Sequence, residues 1–165
     1  MVKIFNPRQT VLITCKGQTT SLGKKEELED IFPLDWHSPA AHEPLTYAIF
    51  VNKKILGHDL IKNSKTFVVN FMPFSKKRNI ILAGKHHGEF HNKLELVGLT
   101  RQECEKLVDC FKLKEAIGFL ECEVINQIDI GDHTLFLGKI VHEIILRQEK
   151  RIFHIDGLIY TTTEN

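Results

Sequence analysis

The sequence predicts a mainly β fold, an antiparallel barrel or sandwich with a few short helices. Six runs rich in β-branched and aromatic residues are separated by turn-forming residues, whereas segments with helical periodicity are few and short. The chain has 165 residues, of which 42% are hydrophobic and 26% are charged, and these values exclude wholesale disorder. No repeat or linker divides the chain, so we expect one domain over residues 1–165.

The six predicted strands follow one another along the chain and include one with clear alternation. They are Thr10–Cys15, Leu45–Val51, Thr66–Phe71, Phe119–Ile130, His133–Leu146 and Ile152–Tyr160. In the fourth, apolar residues at positions 120, 122 and 124 alternate with Glu121 and Glu123. Successive strand residues point to opposite faces, so this pattern predicts a half-buried strand with its carboxylates on the other face.

Helical signals are confined to short segments. His58–Asn63 follows a glycine and has room for barely two turns, and Gly88–Val97 places apolar residues at helical spacing. Thr100 and Glu103 fit a capping box, which predicts a short helix after residue 100. Lys24–Asp30 is short and strongly charged, which indicates a surface turn or an insertion.

Charge and hydropathy exclude several classes of protein. The chain has 22 Lys and Arg against 21 Asp and Glu, a net charge of +1, whereas nucleic-acid-binding modules usually carry a strong basic excess. No apolar run approaches 18 residues, so no membrane-spanning segment is expected, and no signal peptide is recognisable. The four cysteines lack a C-x-x-C spacing, which favours reduced thiols in a cytoplasmic protein.

The familiar motifs of metal binding and catalysis are missing from the sequence. His87 and His91 would share a helix face beside His86, but no third ligand follows at a recognisable spacing, so no metal site is expected. There is no G-x-S-x-G nucleophile motif, no Walker motif and no G-x-G-x-x-G fingerprint. Catalytic residues are therefore not identifiable, and a nucleotide-like cofactor would bind without a Rossmann unit.

The most unusual stretch is residues 32–44. Its three prolines exclude a helix and hold the backbone extended. The stretch contains the only tryptophan, Trp36, beside His37 and Ser38. An extended backbone presents N–H groups in a fixed row that suits the edge of a planar heteroaromatic ring. The composition equally fits a crossover loop whose Trp36 fills the core, and both interpretations stay open at this point.

Six motifs occur in a recognisable order over about residues 7–161. They are Pro7–Thr14, then Asp35–Pro39 with Glu43–Leu45, then Ile55–Asn70, Ala83–Thr100, Gly131–Gly138 and His154–Tyr160. In this order they resemble the flavin reductase-like FMN-binding split-barrel family, which includes flavoredoxin and archaeal ferric reductase.

The resemblance implies a split β-barrel, a Greek-key antiparallel barrel, that forms a homodimer and holds FMN near the subunit interface. The edge of the ring would meet the backbone amides of residues 35–39, and a lysine would bind the phosphate. The predicted cofactor-binding residues are Asp35, Trp36, His37, Ser38, Pro39, Lys53, Lys54, Lys85 and His154. In relatives the loop between residues 100 and 116 is usually extended, contrary to the capping-box helix.

Two motifs depart from the family pattern. The family often has Ser-Gly-Arg where this chain has His87-Gly88-Glu89, and it has Arg-x-Thr where this chain has Ile55-Leu56-Gly57. Lys53 and Lys54 lie just upstream of the second departure and could supply the positive charge instead.

Three hypotheses of function follow from the resemblance. The leading one is an FMN-dependent NAD(P)H oxidoreductase that reduces flavin or passes electrons to a small-molecule or protein acceptor, such as a ferric complex. The alternative is a non-catalytic FMN-binding or electron-carrier protein of the same fold. The third is a split-barrel protein that has lost flavin and serves as a binding module.

Overall fold

The computed structural model describes residues 3–21, 23–86 and 93–163. The strands are β1 (Arg8–Gln9), β2 (Val11–Ser21), β3 (Lys24–Leu34), β4 (His37–His42), β5 (Leu45–Asn52), β6 (Thr66–Phe71), β7 (Arg101–Glu103), β8 (Phe111–Leu113), β9 (Gly118–Ile130), β10 (His133–Ile145), β11 (Ile152–Asp156) and β12 (Ile159–Thr162). The helices are α1 (Leu56–Ser64), α2 (Lys77–Lys85), which follows a 3₁₀ turn, and α3 (Lys93–Val97). Within these ranges, no helix is long and apolar enough to cross a membrane.

Seven strands form one antiparallel sheet in the order β3-β2-β6-β9-β10-β5-β4. The two edge strands, β3 and β4, are consecutive in the chain and are joined only by Asp35 and Trp36. Three Cα–Cα steps span at most about 11 Å, so the two edges must approach each other at this end. The sheet is therefore rolled into a barrel that stays split between β3 and β4, and the predicted mainly β split barrel is confirmed.

The core explains why β2 is apolar without alternation. Val11, Ile13 and Cys15 point into the barrel interior, where they pack with residues such as Phe67. Leu12 points outward into a second cluster that α2, α3 and β8 cover. Both faces of the strand are buried, so the sequence shows a continuous apolar run.

The segment Lys24–Asp30 is not a turn or an insertion; it is the first part of β3. Every residue of β3 pairs with β2, from Ser21 opposite Lys24 to Val11 opposite Leu34. Residues 24–27 are exposed, whereas Leu28 packs against the barrel interior and Asp30 is buried. The prediction was wrong because strand pairing outweighs local composition in deciding β structure.

The helix predicted from Thr100 and Glu103 is also wrong. Residues 101–103 and 111–113 pair as β7 and β8. The carboxylate of Glu121 accepts hydrogen bonds from three consecutive backbone amides, at residues 105 (2.7 Å), 106 (2.8 Å) and 107 (3.0 Å). Glu121 is fully buried, so it does not share the exposure of Glu123. The Glu121 carboxylate thus accepts from amides that in a helix would donate to backbone carbonyls of the preceding turn.

The remaining helices agree in part with the sequence. The predicted helix His58–Asn63 is confirmed within α1. Of the predicted helix Gly88–Val97, α3 is observed and ends before Gly98, whose φ of 68° fits a left-handed cap, while residues 87–92 lie outside the described residues. The sequence does not predict helix α2. Four consecutive apolar residues at positions 80–83 show no helical periodicity, although in the helix only Ile80 and Ala83 are buried.

A buried ion pair between Asp30 and Lys93 joins three elements of the fold. Asp30 Oδ1 lies 3.0 Å from Lys93 Nζ, and the two side chains are 2% and 6% exposed. Asp30 Oδ2 accepts a hydrogen bond from the amide of Gly57 in the first turn of α1 (3.0 Å). Burial raises the pKa of Asp30, and the Lys93 charge opposes that shift. The pair therefore connects β3 to α1 and to α3.

We expect Lys93→Met to lower the free energy of unfolding by about 3–5 kcal/mol at neutral pH, because it leaves the Asp30 carboxylate buried without a counter-charge. The loss should shrink as the pH falls. A raised pKa in the folded state means that folding takes up a proton, so acid stabilises the variant relative to the wild type.

Urea denaturation at several pH values measures both effects. The double variant Asp30→Asn/Lys93→Met is the control, because a neutral amide oxygen still accepts from Gly57 and should recover part of the loss. A single-variant loss below about 1 kcal/mol would show that the ion pair does not hold these elements together.

Candidate functional site

The candidate site lies where the barrel is split, around the Asp35–Trp36 connection. Two adjoining clefts open here. The first, which we call the Trp36 cleft, has a volume of about 420 Å³ and is lined by Phe5, Arg8, Trp36, Phe50, Ile130, Asp132 and His133. The second, the His37 cleft, has about 280 Å³ and is lined by Phe5, Pro7, Arg8, Gln9, Asp35, His37, Ser38, Pro39 and Tyr47. Because both include Phe5 and Arg8, they form one continuous depression.

Asp35 anchors the connection to the small sheet of β1, β11 and β12. Its carboxylate accepts from Thr10 Oγ1 (2.6 Å) and lies 2.7 Å from His154 Nδ1. Arg8 Nε donates to the Asp35 carbonyl oxygen (3.0 Å), and His154 Nε2 donates to the carbonyl of Gly157 (3.0 Å). The structure thus brings together two of the predicted site residues, Asp35 and His154, through contact with each other.

Trp36 lies at the surface of the first cleft. Its side chain is 41% exposed, so the interpretation of Trp36 as a core residue is wrong. The indole stacks on the His133 ring, with centroids 5.1 Å apart, and meets Phe5 edge to face at 6.3 Å. Three rings from the N-terminal segment, the Asp35–Trp36 connection and the β9–β10 turn therefore form an aromatic wall.

His37 and Tyr47 form a neutral pair on the wall of the second cleft. His37 Nε2 donates to the carbonyl of Gln9 (2.8 Å), so its Nδ1 accepts from the Tyr47 hydroxyl (2.7 Å). Burial lowers the pKa of His37 and raises the pKa of Tyr47 to about 12. Both groups are uncharged at neutral pH, and His37 fixes the backbone of Gln9.

Gln9 has a buried donor with no partner. Its Nε2 is inaccessible to solvent and makes no hydrogen bond within the described part of the chain. Leaving such a group unsatisfied costs about 1–3 kcal/mol. Other atoms of Gln9 line the His37 cleft, so a change of side-chain rotamer would bring the amide to an acceptor on a ligand there and recover that cost. The nearby Ser38 hydroxyl donates to its own neighbour, the Pro39 carbonyl (2.9 Å).

The three predicted phosphate-binding lysines lie outside both clefts. Lys53 Nζ donates to the carbonyl of Gly131 (3.0 Å) and lies 3.5 Å from Asp129, so it fastens the β5–α1 connection near the β9–β10 turn. Lys54 is exposed in the same connection, and Lys85 is exposed in the last turn of α2. These positions place two of the lysines, but not Lys85, beside the turn that lines the Trp36 cleft.

The N-terminus of α1 already holds an anion. Free N–H groups in the first turn of a helix stabilise negative charge, and here the Asp30 carboxylate takes that position at Gly57. This is the segment where Ile55-Leu56-Gly57 replaces the family's Arg-x-Thr. A phosphate bound near α1 would have to use side chains rather than this helix end.

Sequence reasoning missed several residues that build the site. Phe5, Gln9, Tyr47 and His133 line the clefts, although none was predicted to bind a ligand. Gln9 lies in the opening motif that was interpreted only as the start of a strand. No group of three or more potential metal ligands occurs within the described ranges, and His87 and His91, which the sequence alone did not make into a metal site, lie outside them.

Comparisons with known proteins place this architecture in a family. A model described as the flavin reductase like domain matches residues 4–162. An uncharacterised protein of Archaeoglobus fulgidus is 33% identical over 116 residues, which are 70% of this chain and 65% of that protein. A ferric-chelate reductase (NAD(P)H) of the same organism is 23% identical over 114 residues, 69% of this chain and 66% of that protein. The matches span just under two thirds of these relatives.

Solved structures share the fold. An FMN-binding protein from Thermus thermophilus superposes with a TM-score of 0.81 at 17% identity, over 96% of this chain and 88% of that one. Flavoredoxin of Desulfovibrio vulgaris (Miyazaki F) gives a TM-score of 0.81 at 19% identity, again over 96% and 88%. Since the family model covers nearly the whole chain, the chain belongs to the family of flavin reductase like domains.

Proposed function

We propose that this chain binds FMN in the Trp36 and His37 clefts and acts as an NAD(P)H-dependent oxidoreductase. The observation that carries the proposal is the continuous depression around the Asp35–Trp36 connection, which combines an exposed, stacked indole with Arg8 and with Gln9, whose amide donor has no partner among the described residues. Membership of the flavin reductase like family and the ferric-chelate reductase among its relatives support the same assignment.

The residues of the two clefts fit a flavin. A flavin ring is planar and aromatic, and its pyrimidine edge carries hydrogen-bond acceptors. The clefts offer an exposed indole for the ring face, the Gln9 donor for the edge and the Arg8 guanidinium nearby. Bound FMN would supply the hydride and electron chemistry, which belongs to the cofactor.

The chain's own residues would hold the ring and tune its charge. Arg8 is tied to the Asp35 carbonyl and presents a fixed positive charge, which stabilises negative charge that grows at the ring edge. The neutral His37–Tyr47 pair positions Gln9 through its backbone carbonyl without adding charge. Residues 35–39 would contribute backbone groups, since the Asp35 and Ser38 side chains already have partners.

Lysine contacts to the phosphate are part of the proposal. Lys53 shares its charge with Asp129, whereas the exposed Lys54 and Lys85 ammonium groups have no hydrogen bond or ion pair among the described residues. A lysine ammonium binds phosphate as a point charge, so Lys54, next to the clefts, is the favoured contact.

A homodimer would complete the site. Ile125, Ile128 and Ile130 on β9 are 53%, 46% and 48% exposed, and Ile130 lines the Trp36 cleft. Burial of such a row against a second copy would shield the cleft from water. The electron acceptor would be a small molecule or a protein, and the four free cysteines favour a cytoplasmic location.

Titration with FMN tests the cofactor. Because Trp36 is the only tryptophan and forms the wall of the cleft, FMN should quench the intrinsic fluorescence strongly and saturably. Riboflavin should bind more weakly, since it lacks the phosphate. A folded protein whose emission falls only by the linear inner-filter loss does not bind flavin in this cleft.

Anaerobic mixing with NADH or NADPH tests the enzyme. If the chain is an oxidoreductase, one of the two should bleach the visible absorption of the FMN-loaded protein. An acceptor such as a ferric chelate, added afterwards, should reoxidise the flavin, restore the colour and allow repeated turnover until the nucleotide is consumed. A loaded protein that keeps its colour with both nucleotides, yet is reduced by dithionite, is an electron carrier rather than an NAD(P)H enzyme.

Gln9→Leu should separate ligand binding from folding. Removing a buried donor without a partner should leave the thermal midpoint of the FMN-free protein unchanged or raise it. FMN affinity should fall about 2- to 10-fold, the value of one neutral hydrogen bond of about 0.5–1.5 kcal/mol. Gln9→Glu keeps the shape and should weaken FMN further. Unaltered FMN affinity in both variants would remove Gln9 from the site.

A further inference from the structure

A third cleft lies on the far side of Tyr47 from the proposed flavin site. It has a volume of about 520 Å³, and its walls come from β5, β6, β9 and β10. Its apolar lining includes Tyr47, Phe71, Phe119, Leu120, Ile140 and Ile145. We call it the Arg151 cleft. Its size and apolar walls are typical of pockets that bind small organic molecules.

One cation lies in this apolar surrounding. Arg151, half-buried just before β11, holds its guanidinium carbon 5.6 Å from the centre of the Phe71 ring. No carboxylate lies within 4 Å of it among the described residues. Its charge acts on Tyr47, where it opposes the rise in pKa that burial causes. A planar guanidinium against an aromatic ring, with no counter-ion, is suited to a carboxylate or a sulfonate.

The other charged residue of the cleft does not cancel this preference. Glu143 lines the rim and is exposed, so water and salt screen its charge. Arg151 is less exposed, and its interaction with a bound anion is correspondingly stronger. The cleft therefore combines an apolar volume with a net attraction for negative charge.

The Arg151 cleft continues into the proposed flavin site. Pro39 and Tyr47 line both this cleft and the His37 cleft. The Tyr47 hydroxyl, bonded to His37, stands between the two. A molecule in the Arg151 cleft would thus lie next to a flavin bound around residues 35–39.

We propose that the Arg151 cleft binds a small aromatic or aliphatic organic anion, with the apolar body against Phe71 and Ile140 and the anionic group on Arg151. A role for this molecule as electron acceptor rests on the proposed function. The binding itself does not, because it depends only on the apolar walls and the guanidinium.

Isothermal titration calorimetry with 1-naphthoate and the neutral 1-naphthamide tests the cleft in the flavin-free protein. Naphthoate should bind saturably and more tightly than the amide. Arg151→Met should weaken naphthoate about 10-fold or more and leave the amide unchanged, since it removes a charge-assisted hydrogen bond. Arg151→Lys should retain part of the affinity, and Ile140→Trp should abolish binding of both probes. Arg78→Met, an exposed arginine on α2, is the matched control and should change neither.

Three results would overturn the proposal. One is equal binding of the acid and the amide with no effect of Arg151→Met. Another is displacement of naphthoate by FMN in one-to-one competition, which would place the probe in the flavin cleft. The third is absence of probe binding to a dimer, with binding restored on dilution to monomer, which would show that a second copy covers the cleft. Since naphthoate is titrated without FMN, failure of the flavin titration leaves this test intact.

Discussion

Two residues, Asp35 and Trp36, join the opposite edges of the seven-stranded sheet, and the short distance that they can span rolls the sheet into a barrel. The same constraint determines where a site can form. At the crossing, the Asp35–Trp36 connection and the start of β4 lie beside Arg8 and Gln9 of β1, and the two clefts open there. Thr10 and His154 then hold the Asp35 carboxylate, which ties the crossing to β11 and to the residue that precedes β2.

A buried ion pair, Asp30 with Lys93, determines the charge at the N-terminus of α1. Asp30 occupies the helix end that would otherwise attract a phosphate, and Lys93 supplies its counter-charge. A buried pair of this kind costs desolvation on both sides and contributes geometry rather than net stability. In this chain the geometry is the packing of α1 and α3 on β3. In the proposed function, recognition of a ligand's charge would fall to the surface lysines and to Arg8.

The sequence predicts those elements whose pattern is local and leaves out those that depend on distant partners. Alternation and β-branched runs identified the six strands, and residues 35–39 were placed together because they are adjacent in the chain. The charged stretch of β3 and the amides bound by Glu121 were misjudged, since their partners lie on β2 and in a loop. The sequence does not identify Gln9 and Tyr47 as site residues for the same reason, because only the fold brings them into contact with His37.

Glu121 also changes what kind of segment residues 105–107 form. A loop is ordinarily free to open without disturbing the sheet that carries it. Here three amides in succession donate to one carboxylate on the outer face of β9, which is buried together with the separate small cluster that contains Leu107 and Cys110. If the loop leaves the sheet, the Glu121 carboxylate loses its three amide donors and the apolar cluster becomes exposed at the same time. We therefore expect residues 105–107 to open together with the part of the sheet that carries Glu121, although they have no regular structure. Hydrogen exchange at their amides would then follow the opening of the barrel rather than of the loop alone.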